Sequence, residues 1–149
     1  MTPTSGTWSD GAHRLPIRVY YEDTDFTGIV YYANYLKFLE RGRTDALRTA
    51  GVSHSDLLAL DPPLGFAVRR ITVDYVAPAR IDDALMVETR FTQARGARLA
   101  VAQRILHGGT VLITAQVDAA CIDLNGRPKR LPAATLTSLE RLIVPGPGA

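Results

Sequence analysis

Cysteine is almost absent: Cys121 is the single one in 149 residues, so no internal disulfide can form and nothing in the composition points to an oxidising compartment. It lies in an apolar, strand-like run and reads as packing. Histidine is scarce as well, limited to His13, His54 and His107, and no spacing of His, Cys and carboxylate residues suggests a metal site. A Gly-x-Ser-x-Gly elbow, a Cys-His pair and a glycine-rich phosphate loop are all missing, which removes the common serine and cysteine hydrolase arrangements and the nucleotide-loop folds. No cofactor is expected. Apolar runs long enough to cross a bilayer are lacking, and the N-terminus has no apolar signal-peptide core, so the chain reads as cytoplasmic. Nor does one sign of charge dominate. The 17 basic and 15 acidic residues leave a net charge of +2 with a pI near 8.9. The arginines are spread along the chain, so no nucleic-acid partner is expected.

What is present suits one globular domain. A hydrophobic share of 46% and a charged share of 21% are ordinary, and the length suffices to bury a core without disulfides or metal. Residues 1–14 mix Thr, Ser, Gly, Pro and Asp without periodicity and are expected to be flexible. Residues 15–143 are expected to form the domain, and residues 144–149 a Pro/Gly-rich tail. Alternating apolar positions predict strands over Leu15–Tyr21, Phe66–Val76, Leu85–Thr92, Ala97–His107 and Val111–Asp123. His107-Gly108-Gly109-Thr110 carries a hairpin signal. Short helices are predicted after Ser53, with His54 exposed or capping, and over Pro132–Ile143. One strand, a long helix and then four strands give an α+β domain, an antiparallel sheet with a single apolar-faced helix to cover.

The chain is organised around residues 20–50. An extended segment runs into Glu22-Asp23-Thr24-Asp25-Phe26-Thr27-Gly28, then Ile29-Val30-Tyr31-Tyr32, then an amphipathic run. Tyr35, Leu36, Phe38, Leu39, Ala46 and Leu47 recur at helical spacing, with Lys37, Glu40, Arg41, Arg43 and Arg48 between them. Gly51 and the basic last turn mark a stop, so the helix is predicted from about Tyr32 to Ala50. Free amides at a helix start attract negative charge, and a carboxylate opposite could attack or deprotonate. Together these are the two parts that acyl transfer needs.

The stretch Tyr-Tyr-Glu-Asp-Thr-Asp-Phe-Thr-Gly-Ile-Val-Tyr-Tyr-Ala-Asn-Tyr, continuing to Phe38, Glu40 and Arg43, resembles the signature of the hotdog-fold acyl-CoA thioesterases. Two branches are nearest: the Tol-Pal-associated thioesterase and the 4-hydroxybenzoyl-CoA thioesterase with its Asp in the loop. Residues 68–83, Arg95-Gly96 and Arg130-Leu131-Pro132 resemble the first branch. The likeness covers about residues 15–140. It implies a hotdog fold, an antiparallel sheet wrapped around one long central helix. It also implies hydrolysis of an acyl-CoA thioester and a homodimer or homotetramer whose site draws on both subunits, and it allows loose attachment at the inner membrane face. The Tyr31, Tyr32 and Tyr35 set would suit a short-chain or aromatic acyl group, with a long aliphatic one left open. The Tol-Pal branch usually carries His where this chain has Tyr32, and the hydroxybenzoyl branch carries Tyr. A main-chain role at that position is therefore kept and an imidazole role is not.

Carried onto this sequence, the resemblance makes Asp25 catalytic and gives the Tyr32 backbone N–H the polarisation of the thioester carbonyl. Whether Asp25 attacks, giving a mixed anhydride, or activates water is open. Gly28 is expected to permit the turn and a close substrate approach, and Asp23 to be structural. Tyr31 and Tyr35 are candidates for the acyl pocket, with core packing the other reading of Tyr35. Coenzyme A carries phosphates, so Arg95, Arg98, Lys129 and Arg130 are candidates for its binding. Acyl-carrier protein is a second possible carrier. The rival functions are an acyl-CoA or acyl-carrier-protein hydratase-dehydratase, disfavoured because no histidine lies beside Asp25, and a non-catalytic acyl-ligand or envelope-complex module.

Overall fold

The computed structural model describes residues 5–143. The tail expected over residues 144–149 and the first four residues of the expected flexible segment lie outside the described residues. Six strands, β1 (Thr7–Ser9), β2 (Ala12–Arg18), β3 (Leu64–Tyr75), β4 (Ala84–Arg95), β5 (Arg98–His107) and β6 (Thr110–Asp123), build one sheet. Its order is β1-β2-β4-β5-β6-β3, and every neighbouring pair is antiparallel. Period-2 alternation explains the inward face. Leu85, Val87 and Phe91 on β4, Leu99, Val101 and Ile105 on β5, and Ile113, Ala115, Val117 and Cys121 on β6 are all buried.

That face is covered by α1 (Asn34–Thr49), whose apolar stripe divides between two halves of the core. Tyr35, Phe38 and Leu39 pack with Leu15, Val19, Val87, Ile105 and Ile113. Ala46 and Leu47 pack with Phe91, Leu99, Val101, Val117 and Cys121, together with Leu139 of α3 (Ala133–Glu140). Each large apolar side chain buried here contributes on the order of 1.5–3 kcal/mol. Between the halves lies Gly42, where a Cβ would come within 2.6 Å of the Val87 side chain. Only glycine lets the helix approach β4 this closely. The short α2 (His54–Leu58) is capped by the Ser53 hydroxyl, which accepts Asp56 N–H at 3.1 Å. The His54 ring is half-buried, 3.3 Å from the Thr44 hydroxyl.

Two boundaries differ from the sequence reading. Residues 7–14, expected to be flexible, carry β1 and the start of β2. Trp8 donates to the Thr49 hydroxyl at 2.9 Å, and both Gly6 N–H and His13 Nε2 lie 2.7 Å from Asp45 Oδ2. Polar composition hid this segment because its anchors are single side chains and not a periodic face. Helix α1 starts at Asn34 and not at Tyr32, because Asn34 N–H closes a turn onto the Tyr31 carbonyl at 2.8 Å. No helix among the described residues is long and apolar enough to cross a membrane.

Candidate active site

The segment before α1 is held by its own short-range bonds. Tyr21–Asp23 form one 3-10 turn, and the Asp23 carboxylate accepts Tyr20 N–H at 2.8 Å. The carbonyl of Asp23 accepts Tyr31 N–H at 3.0 Å and the Asn34 side-chain amide at 2.8 Å. Asp23 therefore ties both ends of the loop to the first residue of the helix, a structural role. Thr24 bridges to Val30, while Asp25 N–H donates to the Ile29 carbonyl at 2.9 Å and its own carbonyl accepts Gly28 N–H at 3.1 Å. Gly28 has φ 81°, a left-handed conformation that other residues adopt at a cost. A Cβ there would meet nothing within 4 Å, so conformation and not crowding within the chain requires glycine.

Inside this tight loop Asp25 is exposed, and its Oδ1 accepts the Thr27 hydroxyl and the Thr27 amide, at 2.5 and 2.8 Å. The Thr27 hydroxyl above all, and then its amide, hold the Asp25 carboxyl below the ordinary carboxylate value. A group bonded this way stays ionised at neutral pH. Tyr32 sits in the turn just before α1, and its N–H forms no hydrogen bond among the described residues. An ionised carboxylate and an unpaired amide heading a helix thus share one short junction.

Tyr31 and Tyr32 are both exposed at that junction, with ring centroids 4.9 Å apart. Tyr35, a pocket candidate on sequence, belongs to the core: it is 3% exposed, and its hydroxyl accepts Ala79 N–H at 2.9 Å. Its place in the first turn, on the apolar stripe, turns it inward. Tyr75, read only as a strand residue, stands against the site, its ring 6.3 Å from Tyr32 and its hydroxyl 3.4 Å from the Tyr32 carbonyl. The segment 79–81 was missed as well. Val30 N–H donates to the Ala79 carbonyl and Ile81 N–H to the Gly28 carbonyl, at 2.9 and 3.0 Å. No local signal announces either contact, since both are long-range.

The four cations expected at the coenzyme are gathered, but elsewhere. Arg95 and Arg98 flank the β4–β5 turn, and Leu131 N–H donates to the Gly96 carbonyl at 2.8 Å, which brings Lys129 and Arg130 beside it. All four are exposed. Arg98 pairs with Asp118 at 3.3 Å and Lys129 with Asp123 at 4.0 Å. Leu99 and Leu131 pack with Ala46 and Leu47, in the second half of α1. Within one chain this group therefore lies toward the far end of a helix about 24 Å long from the Asp25 junction. Strand β3 joins the two ends. Its Leu64 pairs with Asp123 near the cations, and its Tyr75 end stands at the junction. It is the last strand of the sheet, with one edge unpaired among the described residues.

Comparison with known proteins shows the family. Residues 19–139 match the thioesterase-like superfamily. An acyl-CoA thioester hydrolase YbgC of Escherichia coli O6:H1 is 43% identical over 130 residues, 86% of this chain and 96% of that protein. An acyl-CoA thioesterase YbgC of Haemophilus influenzae is 42% identical, over 84% and 95% of the two chains. Among solved structures, a probable thioesterase from Bartonella henselae superposes with TM-score 0.78 at 43% identity, covering 81% of this chain and 99% of that one. A 1,4-dihydroxy-2-naphthoyl-CoA thioesterase from Synechocystis superposes with TM-score 0.80 at 25% identity, over 90% and 99%. The chain belongs to the thioesterase-like superfamily.

Proposed function

We propose that the protein hydrolyses the thioester of a short-chain or aromatic acyl-CoA to the free acid and CoA, with Asp25 as nucleophile or general base. The observation that carries this reading is the pairing at one junction of a carboxylate kept ionised by Thr27 with the unbonded Tyr32 N–H. The thioester oxygen, gaining negative charge as the carbonyl is attacked, is stabilised by that amide. Asp25 either adds to the carbonyl carbon and expels CoA thiolate, leaving an anhydride for water to open, or takes the proton of a water that adds in its place. The YbgC relatives, named as acyl-CoA thioester hydrolases, support the substrate class. The antiparallel sheet and its 16-residue helix fit the hotdog arrangement, the sheet curving around α1.

A second copy completes the site. Two β3 edges paired antiparallel would set the Leu64 end of one copy beside the Tyr75 end of the other. Arg95, Arg98, Lys129 and Arg130 of one chain then approach Asp25 of its partner and neutralise the coenzyme phosphates. A cavity of about 80 Å³, apolar along Phe66, Val68, Phe91 and Val101 and polar along Glu40, Arg43, Thr44 and His54, lies at the same end. A homodimer, alone or doubled into a tetramer, also covers an otherwise open edge. We read the enzyme as cytoplasmic. The test is thiol release from a panel of acyl-CoA and acyl-carrier-protein esters by the wild type and by Asp25→Asn. We expect turnover of at least one ester by the wild type and near-complete loss in the folded variant. Retained activity in Asp25→Asn, or no release by the wild type from any ester, overturns the reading.

A further inference from the structure

Buried as it is, Tyr35 cannot meet a substrate that arrives at the exposed Asp25 loop, yet its hydroxyl is one bond removed from that loop. It accepts Ala79 N–H at 2.9 Å, and the carbonyl of the same Ala79 accepts Val30 N–H, also at 2.9 Å. Val30 lies between Asp25 and Tyr32 in the chain, on the short strand-like piece that returns from the loop to the helix. Ile29 and Arg80 form a bridge, and Ile81 N–H donates to the Gly28 carbonyl at 3.0 Å. Segment 79–81 thus runs alongside segment 28–30, gripping it on both sides of the bridge. Its far end is fixed by Asp83, whose carboxylate accepts Arg80 N–H at 2.8 Å and whose carbonyl accepts Val19 N–H at 2.9 Å. The near end has one side-chain anchor among the described residues, the Tyr35 oxygen.

We propose that Tyr35 is a positioning residue. Through the backbone of Ala79 its hydroxyl sets the height of the Asp25–Gly28 loop against the Tyr32 amide. The inference rests on the reading that Asp25 and Tyr32 N–H act on a thioester. Three observations favour it over simple packing. The ring is locked edge-on between Phe38 and Tyr75, with centroids 6.2 and 5.7 Å away, so the oxygen cannot follow a drifting loop. The amide it receives would otherwise be left without its partner in the interior, which costs enough to displace a loop. The helix that carries Tyr35 is the same one whose start presents Tyr32, so a single rigid element references both catalytic groups. Catalysis by an oriented carboxylate is sensitive to displacements of about 1 Å.

The test is Tyr35→Phe, which removes one oxygen and keeps the ring. The expected result is a fall in kcat of about tenfold with KM changed less than about twofold, together with faster amide exchange at Val30 and Ala79 and unaltered exchange at Phe38 and Leu39. A folded variant with wild-type kcat overturns the proposal, because packing alone predicts lower thermal stability without loss of turnover. Should the variant fail to fold, exchange in the wild type decides. Val30 and Ala79 amides opening together, and more slowly than Thr27, support the relay; Val30 exchanging as fast as Thr27 overturns it. A wild type that cleaves no thioester removes the proposed function, whereas an active wild type matched by Tyr35→Phe removes this inference alone.

Discussion

The Asp25 carboxylate and Thr27 form a closed pair in which one oxygen, Oδ1, accepts both the hydroxyl and the amide of the threonine. Oδ2 takes neither of these two bonds. Both bonds favour the anion, and the carboxyl is held below its ordinary value of 3.8. If Asp25 acts as proposed, its working form is the ionised one, so activity should persist to lower pH than an unassisted aspartate allows and be lost as pH falls through its depressed pKa. Thr27→Val removes the larger of the two causes. It should move the Asp25 titration, followed by carboxyl-carbon NMR, upward toward the ordinary range and carry the acid limb of kcat/KM with it. An unmoved titration would show that the hydroxyl does not tune the acid.

Gly28 gives a conformational prediction. Its φ of 81° costs a residue with a Cβ about 1–2 kcal/mol, although there is room for the added carbon. Gly28→Ala should lower stability by about that amount in denaturant melts and lower kcat/KM, because the loop relieves the strain by moving Asp25. Wild-type kinetics with reduced stability would separate the turn from the chemistry.

His13 and Asp45 fasten the N-terminal hairpin to α1, and they make stability depend on pH. The 2.7 Å spacing would suit an ion pair. Burial, the largest influence, nevertheless pushes the His13 pKa below 6.5 against the opposing pull of Asp45. The neutral ring donates from Nε2, and Nδ1 has no partner among the described residues. A histidine whose folded pKa is depressed contributes stability that is present above pH 6.5. As pH falls below that value the unfolded chain takes the proton first and stability declines until the folded pKa is passed. Melting temperature should therefore drop between neutral pH and pH 5, and this drop should shrink in His13→Gln, the remainder coming from His54, whose pKa burial also lowers. Asp45→Ala, which also strands Gly6 N–H, should cost about 3 kcal/mol; a loss below about 0.5 kcal/mol would mean that water replaces the carboxylate.

The separation of Asp25 from the four cations gives a prediction in trans. An Asp25→Asn chain and a chain with Arg95, Arg98, Lys129 and Arg130 all changed to Ala should each be inactive at low substrate. Unfolded together and refolded as a mixture, they should recover about a quarter of wild-type activity, since about half the dimers are mixed and each has one intact site. No recovery, with mixed dimers demonstrated by mass spectrometry, would put both parts in the same chain.

Legibility followed the range of the interactions. The long strands β3 to β6 were readable because alternation in Leu85–Thr92, Ala97–His107 and Val111–Asp123 needs only a one-sided core to become strand. The three-residue β1 was not, because nothing in Thr7-Trp8-Ser9 is periodic and its stability comes from Thr49, Asp45 and Phe91, far along the chain. The turn itself, with Asp23 bonded to backbone and Gly28 in a left-handed conformation, was legible because it closes within a few residues, whereas the two bonds from Thr27 to Asp25 were not read from the sequence. The burial of Tyr35, the approach of Tyr75 and the grip of segment 79–81 were not, since each joins positions about 40 or more residues apart.

Residue order alone determined a local device: a turn that presents one carboxylate, a glycine that lets the turn close, and an amphipathic run that begins a few residues later. Only the folded sheet decided which segment runs beside that turn, which aromatic rings lie inward, and that Arg95, Arg98, Lys129 and Arg130 stand toward the opposite end of the helix. The physical reason is that short-range hydrogen bonds are written in adjacent residue types, whereas burial and distance between remote segments arise from packing one apolar stripe against six strands at once.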